Sequence, residues 1–399
     1  FYKEKKKHQM TSPDSKFSNW LVDVRRDFHM HPEIAFEEVR TSDKIASILE
    51  DLGIQTKRIE KMTGVIGLIE GPTDGPTIAL RSDIDALPIQ ELNDIPYKSR
   101  IDGKMHACGH EACVTILLGT AKYLVESGLI KTLKGKVKFL FQPAEERGVG
   151  AKAMIERGAL ENPNVNRIIA GHMDPELQVG QIGHFKSLGY ASADRFNLEI
   201  IGKGGHGGRP EHSIDPIIAG AHFITQVQSI IARNIKPTYA GVATIGRFVA
   251  GDVGNVIPES AYMEGSIRAL SEDVSLRLFE RLHELASGLE SSFQVHCELQ
   301  INEGIPCLIN DTKVAEFLYD VSGSVVGFEN VYYLDPIMAS EDFSLFTQAC
   351  PGAIMRFGCS SAKKGLTYPL HSPYFNIDES VLEIGVKVFI EAIRRYLSA

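Results

Sequence analysis

The sequence has few cysteines, no excess of positive charge and no long apolar segment, and each lack excludes a class of protein. Six cysteines among 399 residues are too few for a disulfide-stabilised scaffold, so a reducing, cytoplasmic environment is expected. No apolar run reaches the ~18 residues that a membrane-spanning helix needs. The net charge of −9 disfavours nucleic acid and anionic lipid as main partners.

The remaining composition is that of a soluble globular protein, with 43% hydrophobic and 23% charged residues. A chain of 399 residues predicts more than one domain, or one large core with an insertion. The N-terminal segment FYKEKKKH is basic but has no apolar core, so no intact signal peptide is predicted there.

Helix-like and strand-like segments alternate through most of the chain. Helices are predicted over residues 17–31, 41–52, 114–125, 150–157, 312–322 and 380–396. Strands are predicted over 64–70, 77–80, 137–141, 167–171, 331–334 and 353–358. This alternation predicts an α/β fold with a mixed, largely parallel sheet and helices on both faces.

Residues 187–302 have a different order, β-α-β-β-α-β, which predicts a complete ferredoxin-like α+β domain. It is predicted to be inserted between two parts of one domain, 16–186 and 303–399. Its first turn, GKGGHGG at 202–208, contains His206. A phosphate-binding loop is disfavoured because no nucleotide-binding fingerprint surrounds it, and a histidine reaching an active site from a flexible loop fits better.

The segment MHACGH at 105–110 holds the densest set of metal-ligand residue types. In an extended chain His106, Cys108 and His110 would point the same way, and Cys and His suit zinc and neighbouring transition metals. Upstream, Asp83 and Asp85 would share one face of an extended chain. They are predicted either to orient a ligand histidine or to be simple loop acids.

Paired carboxylates, Glu145 and Glu146, directly follow the predicted strand 137–141. A solvated acidic turn is the alternative to a metal-binding and proton-transferring pair. The next strand, 167–171, leads into His172, and sites in α/β sheets form at the carboxyl ends of strands. His371 is a candidate further ligand, whereas His29 and His31, near a helix end, are predicted to have capping or surface roles.

Nine sequence blocks together resemble the carboxypeptidase G/aminoacylase superfamily of metal-dependent amidohydrolases and exopeptidases. The resemblance is strongest to the branch of hippurate hydrolases, auxin-conjugate hydrolases and N-acyl-amino-acid deacetylases. The blocks are FHMHPEIAFEE (28–38), LRSDIDALPI (80–89), MHACGH (105–110), FQPAEE (141–146), GHMDP (171–175), GKGGHGGRPEHSIDP (202–216), NVIP (255–258), SEDFS (340–344) and LHSPYFNIDE (370–379).

This resemblance implies an enzyme that cleaves the amide bond of N-acyl amino acids, with two divalent metal ions per subunit holding a hydroxide. The metals would be Zn²⁺ or Mn²⁺, with Co²⁺ or Ni²⁺ as further possibilities. The implied ligands are Cys108, His110, Glu146, His172 and His371. Glu145 would be the general base, His206 would stabilise the oxyanion, and Asn255 and Arg268 would hold the substrate carboxylate.

The resemblance also implies that the inserted domain acts as a lid and as the contact surface of a homodimer, or of a tetramer. The substrate would be a small molecule, with no nucleic-acid or membrane partner. Two positions depart from the family pattern, because Glu111 stands where Asp is usual and Cys113 where His is frequent. Both departures bear on metal geometry and preference, since groups around the ligands tune metal affinity.

The same residues allow two other functions, and the sequence disfavours a third. A dipeptidase or carboxypeptidase of the same superfamily would use the same residues with a different pocket. A catalytically silent metal-binding homologue would be consistent with the departures at Glu111 and Cys113. A zinc nucleobase deaminase is disfavoured, because no Pro-Cys-x-x-Cys follows a His-x-Glu.

Overall fold

A computed structural model describes residues 15–398, so the N-terminal segment FYKEKKKH lies outside the described residues. The described chain forms two compact units. The first comprises the described residues of Phe1–Ser187, Asn310–Leu334 and Phe346–Ala399, and the second comprises Leu188–Ile309 and Asp335–Leu345.

The helices are α1 (Ser15–Met30), α2 (Val39–Asp51), α3 (His110–Glu126), α4 (Gly150–Glu156), α5 (Pro216–Asn234), α6 (Glu272–Phe293), α7 (Thr312–Val326), α8 (Phe343–Ala349) and α9 (Ser380–Leu397). The strands are β1 (Gln55–Arg58), β2 (Val65–Glu70), β3 (Thr73–Asp83), β4 (Lys134–Gln142), β5 (Arg167–Gln178), β6 (Ile182–His184), β7 (Leu188–Tyr190), β8 (Ala193–Ile201), β9 (Gly205–His206), β10 (Gly241–Ala250), β11 (Val256–Ile257), β12 (Ser260–Ala269), β13 (His296–Ile305), β14 (Leu308–Ile309), β15 (Val331–Tyr333) and β16 (Gly352–Ser360). Within residues 15–398, no helix combines the length and the apolarity that crossing a bilayer requires.

The first unit is built on an eight-stranded sheet in the order β1-β2-β4-β3-β5-β16-β6-β15. Its centre, β4-β3-β5-β16, is parallel, and antiparallel pairs flank it on both sides. The predicted α/β class with a mixed, largely parallel sheet is confirmed. This arrangement brings the carboxyl ends of β3, β4 and β5 to one edge of the sheet, where polar side chains can meet.

Side-chain alternation along the central strands explains how this sheet is covered. On β4, Val137, Phe139 and Phe141 point into the main core, which includes residues of α1, α3, α7 and α9. Leu140, on the opposite face of β4, is also buried, and α4 contacts the same strand. Burial on both faces is typical of parallel strands in α/β folds.

The second unit contains a four-stranded antiparallel sheet in the order β10-β12-β8-β13. With α5 between β8 and β10, and α6 between β12 and β13, this is the predicted ferredoxin-like arrangement. Its core joins apolar residues from one face of the sheet to the buried faces of the two helices. Asp215 caps α5 and Ser271 caps α6 through their side-chain oxygens, which accept backbone N–H groups of the first turn.

Two predictions about local structure are wrong. The strand predicted to end before His172 continues to Gln178, so His172 lies inside β5. The 105–110 segment is not extended, because it turns at Gly109, and His110 is already the first residue of α3. The short strands β1, β6, β7, β9, β11 and β14 were not predicted, since runs of two to four residues carry little periodicity.

Candidate metal centre and active site

Six side chains of the first unit lie close enough together to bind metal ions. They form three overlapping groups, in each of which one potential ligand atom per residue lies within 4.8 Å of the others. The groups are Cys108, His110 and His172; Cys108, Glu146 and His371; and His110, Glu145 and Glu146. The structure thus brings together the five predicted ligands and the predicted general base, whereas His106 belongs to none of these groups.

A tight turn places Cys108 and His110 on the same side of the chain. Gly109 between them has a φ of 83°, a left-handed conformation that glycine adopts without steric cost. A Cβ at this position would lie 2.7 Å from Cγ of Met173, a residue next to His172. The backbone N–H of His371 donates to the carbonyl of Ala107 at 2.8 Å, which anchors His371 beside the turn.

Hydrogen bonds to backbone carbonyls fix the position of the Nδ1 proton in two histidines. Nδ1 of His110 donates to the carbonyl of Asp85 at 2.9 Å, and Nδ1 of His172 donates to the carbonyl of Met173 at 2.8 Å. In the neutral rings, Nε2 therefore presents a lone pair. Nε2 of His172 lies 3.4 Å from Sγ of Cys108. Nε2 of His110 is buried and has no hydrogen-bond partner among the described residues.

The electrostatic environment of these groups favours a cation. Burial lowers the pKa of His110, but the neighbouring Cys108 and Asp85 outweigh it, so the net pKa is raised well above its usual value. Burial, followed by the charge of Glu146, raises the pKa of the Cys108 thiol to about 12. A thiolate at Cys108 therefore needs a compensating positive charge, and a metal ion displacing its proton supplies one.

The turn after β4 carries Glu145 and Glu146. Pro143 ends the strand, and the N–H of Gly148 closes the turn by donating to the carbonyl of Glu145 at 2.6 Å. Oε1 of Glu146 is buried, lies 3.5 Å from Nε2 of His371 and accepts no hydrogen bond from the described residues. A buried carboxylate oxygen left without a donor is costly, which fits a metal ligand better than a solvated acidic turn.

Asp85 holds two of the predicted ligands in place. The carbonyl of Asp85 accepts Nδ1–H of His110, and Oδ2 of Asp85 accepts the backbone N–H of Glu146 at 3.0 Å. Asp83 is buried and paired with Arg81, whose Nη1 donates to Oδ2 of Asp83 at 2.8 Å. Of the two predictions for these acids, the geometry favours the one in which Asp85 orients a ligand histidine.

A buried ion pair behind His172 was not predicted from the sequence. Arg356 on β16 lies beside His172 in the register of β16 with β5, and its Nε donates to Oδ2 of Asp174 at 3.2 Å. Burial, then the charge of Arg356, lowers the pKa of His172 well below its usual value. The only sequence signal for this pair was a single arginine inside the apolar run 353–358.

A second buried network lies behind His110, and it corrects one prediction. His29 is fully buried; its Nδ1 lies 2.8 Å from Oε1 of Glu111 and its Nε2 lies 3.2 Å from Oε1 of Glu91. The prediction of a capping or surface role for His29 is therefore wrong. For His31 the capping role is confirmed, because its Nδ1 donates to the carbonyl of Asp27 near the end of α1 at 2.7 Å.

Glu111, the first departure from the family pattern, is part of this network. Burial acts to raise its pKa, but Arg25 and His29 outweigh burial, so the net pKa is lowered and the carboxylate stays charged. Burial and Arg25 act to lower the pKa of His29, and its hydrogen bonds to Glu111 and Glu91 raise it overall. The carboxylate of Glu111 is thus held in a buried ion pair with Arg25. This pairing argues against a role for Glu111 as a metal ligand. Cys113, the second departure, is also buried.

The other three predicted site residues lie in the second unit. His206 on β9 pairs with Val256 on β11, and the N–H of Gly207 donates to the carbonyl of Asn255 at 2.9 Å, so His206 and Asn255 are neighbours. Nδ1 of His206 accepts the N–H of Gly208 at 2.9 Å, which leaves the proton of a neutral ring on Nε2. Arg268, on β12, has a buried Nη1 without a hydrogen-bond partner among the described residues.

Residues 79–395 match the model of peptidase family M20/M25/M40. An IAA-amino acid hydrolase ILR1-like 4 from Arabidopsis thaliana is 37% identical over 385 residues, covering 96% of this chain and 86% of that protein. The N-acetylcysteine deacetylase of Bacillus subtilis is 38% identical over 379 residues, covering 95% and 97% of the two chains.

Solved structures extend the similarity to the fold. The YXEP protein of Bacillus subtilis, described as a dinuclear metal binding peptidase from the M20 family, superposes with a TM-score of 0.83. The two sequences are 34% identical, and the match covers 96% of this chain and 99% of that one.

Proposed function

The chain belongs to peptidase family M20/M25/M40 and is a hydrolase, and on this premise we propose that it cleaves N-acyl amino acids. In the proposed reaction, water adds across the amide bond, and a carboxylic acid and a free amino acid are released. The observation that carries the proposal is the convergence of Cys108, His110, Glu145, Glu146, His172 and His371. The relatives named for hydrolysis of an IAA-amino acid and of N-acetylcysteine act on substrates of this class.

We propose that Cys108, His110, Glu146, His172 and His371 hold two divalent metal ions. Nε2 of His110 and Oε1 of Glu146 support this ligand set, because both atoms are buried without a hydrogen-bond partner among the described residues and each can offer a lone pair to a metal ion. A thiolate and three imidazoles favour Zn²⁺, and the carboxylate allows Mn²⁺, Co²⁺ or Ni²⁺. The chemistry that such ions supply when bound is Lewis acidity, which lowers the pKa of a coordinated water toward ~7.

Glu145 is proposed as the general base. It precedes the proposed ligand Glu146 on the same turn, and one carboxylate oxygen lies within 4.8 Å of potential ligand atoms of His110 and Glu146. From there Glu145 would accept a proton from the attacking water and return it to the leaving nitrogen. The tautomer of His206, with its proton on Nε2, supports a role as hydrogen-bond donor to the developing oxyanion.

Arg268 and Asn255 are proposed to bind the free carboxylate of the substrate. The buried Nη1 of Arg268 has an unmet hydrogen-bonding capacity, and a guanidinium can bind a carboxylate through two hydrogen bonds. A requirement for that carboxylate would favour N-acyl amino acids over internal peptide bonds. We further propose that the second unit acts as lid and homodimer contact. The six cysteines, all free, support a cytoplasmic location.

A substrate panel tests this proposal against a dipeptidase or carboxypeptidase activity. Protein loaded with Zn²⁺ or Mn²⁺ is assayed on an N-acetyl amino acid, a benzoylglycine and a dipeptide with the same C-terminal residue. The proposal expects kcat/KM for an acyl substrate to exceed that for the dipeptide at least about tenfold, a difference of about 1.4 kcal/mol. A preference for the dipeptide would indicate that the protein is a peptidase. Inactivity on all three substrates would favour a catalytically silent metal-binding homologue.

A further inference from the structure

The residue before the proposed general base has a strained backbone. Ala144 is fully buried and has a φ of 56°, in the left-handed region that residues with a side chain avoid because of a clash between Cβ and the backbone. Strain of this kind persists only where the surroundings enforce it, and it is concentrated at functional sites. A neighbouring group of the protein must therefore keep Ala144 in this conformation.

The carboxylate of Glu38 is directed at this position. Its Oε1 accepts the backbone N–H of Ala144 at 2.9 Å, and its Oε2 accepts the hydroxyl of Thr63 at 2.5 Å. Glu38 and Ala144 are 106 residues apart in the chain, and both are fully buried. The contact therefore ties the start of α2 to the turn that carries Glu145.

Glu38 occupies the N-cap position of α2, yet its side chain makes no capping hydrogen bond. Glu33 takes that role, because its Oε1 and Oε2 accept the N–H groups of Arg40 at 3.1 Å and of Thr41 at 2.8 Å. The carboxylate of Glu38 is thereby free to face the turn after β4. A capping function does not explain why an acid is buried at this point.

Two buried carboxylates hold the turn on either side of Glu145. Glu38 receives the N–H of Ala144, and Asp85 receives the N–H of Glu146 at 3.0 Å. The backbone amides that flank Glu145 are therefore both fixed by side chains from distant segments. The hydrogen bonds of Glu38 come from an amide and a hydroxyl and not from a cation. Burial, together with the negative charge of Asp85, raises the pKa of Glu38 to about 7.

We propose that Glu38 is a positioning residue that holds Ala144 in the left-handed conformation and thereby fixes the direction of the Glu145 side chain. This inference rests on the proposed role of Glu145 as general base. Without the acceptor at position 38, Ala144 relaxes toward negative φ. The peptide plane that leads into Glu145 then rotates, and its carboxylate leaves the geometry needed for proton transfer.

Substitutions at position 38 separate this role from a merely structural one. In Glu38→Gln, the amide oxygen still accepts the N–H of Ala144, and the amide nitrogen can donate to the hydroxyl of Thr63, so kcat should stay within about threefold of wild type. Glu38→Leu removes the acceptor and should lower kcat on the order of 100-fold, the effect of a displacement of about 1 Å. KM should change less than about threefold, and metal content should stay as in wild type. A loss confined to kcat indicates that the substitution weakens binding of the transition state and not of the substrate. Thr63→Val, which spares the contact with Ala144, is the matched control.

A double variant tests the strain directly. Glycine adopts positive φ without steric cost, so in an Ala144→Gly background the loss of kcat caused by Glu38→Leu should shrink to about tenfold or less. If Glu38→Leu does not fold, Glu38→Asp withdraws the acceptor by one methylene and should show the same rescue from a smaller loss. Wild-type kcat in Glu38→Leu or in Glu38→Asp, or an equal loss in both backgrounds, would overturn the inference.

The proposed function fails by a different result. Glu145→Gln is assayed beside these variants, and wild-type activity in that protein would remove Glu145 from the mechanism altogether. A loss of turnover in Glu145→Gln together with full activity in Glu38→Leu would leave the proposed function intact and reject only the positioning role of Glu38.

Discussion

Nε of Arg25 donates to Oε1 of Glu111 at 3.0 Å, and neither side chain is exposed to solvent. The pair joins α1 to the first turn of α3, one residue beyond the proposed ligand His110. Because ions buried in a protein interior need a partner of opposite charge, this contact connects the stability of the first unit with the position of His110.

Removing one partner of this pair should destabilise the protein strongly. Glu111→Ala leaves the Arg25 guanidinium buried without its main counter-ion, and we expect a loss of about 3–5 kcal/mol in the free energy of unfolding. Urea denaturation of the metal-free protein measures this loss. Glu126→Ala is the matched control on the same helix, because it breaks an exposed pair with Lys122, worth ~0.2–1 kcal/mol. Equal effects of the two substitutions would contradict the prediction.

Glu145 and Glu146 should respond differently to the same substitution. Glu145→Gln should lower kcat by about 10²–10⁴-fold, the usual contribution of general acid–base catalysis, while metal content stays at two ions per subunit. Glu146→Gln should instead weaken metal binding, because an amide is a poorer ligand than a carboxylate. Elemental analysis and titration calorimetry with Zn²⁺ measure the two outcomes, and a loss of metal from Glu145→Gln would assign it a ligand role.

Stability should depend on pH through Glu38. Burial raises the pKa of this carboxyl from 4.5 to about 7 in the folded protein. Between these values the folded state holds a proton that the unfolded state has released, so the free energy of unfolding falls as pH rises. The glutamine of Glu38→Gln does not titrate. As the pH rises from 5 to 8, the free energy of unfolding of this variant should therefore increase relative to that of wild type by on the order of 2 kcal/mol. Urea denaturation of both metal-free proteins at several pH values measures this difference. A difference in the free energy of unfolding that stays constant from pH 5 to pH 8 would refute the assignment.

Removing metal should abolish activity without unfolding the chain. The proposed ligands come from elements packed on the main core, so dialysis against a chelator should remove the activity and leave the circular dichroism spectrum unchanged. The pKa of Cys108, raised by burial to about 12, implies that rebinding releases a proton from this thiol near pH 7. Calorimetry of Zn²⁺ binding in buffers of different ionisation enthalpy counts the released protons. Cys108→Ser should bind Zn²⁺ more weakly and release fewer protons.

Subunit mixing should test whether the homodimer completes the site. If His206 acts on the active site of the partner subunit, a mixture of His206→Ala and Glu145→Gln proteins should regain part of the activity that each variant lacks. The restored fraction is measured after co-refolding, with heterodimers quantified by differential tagging. Heterodimers that form in high yield and remain inactive would exclude an arrangement in trans.

Much of the architecture was predictable because it depends on local periodicity. The helices α1, α3 and α9 and the strands β4, β8 and β12 follow from apolar spacing, and the ferredoxin-like order follows from the succession of those elements. The motif blocks also identified Cys108, His110, Glu145, Glu146, His172 and His371, which the structure brings together. Residue type and order along the chain were sufficient for these inferences.

The environment of each side chain was decided only by the tertiary structure. His29 and Glu111 lie 82 residues apart, Arg356 and Asp174 lie 182 apart, and Glu38 meets Ala144 across 106 residues. No local pattern encodes such pairs, because the cost of burying a charge, and hence its partner and protonation, is set by the distant segments that exclude water from it. The sequence alone thus determined which residues can carry out the chemistry. The packing of distant segments determined which of them are buried, paired and held in position for it.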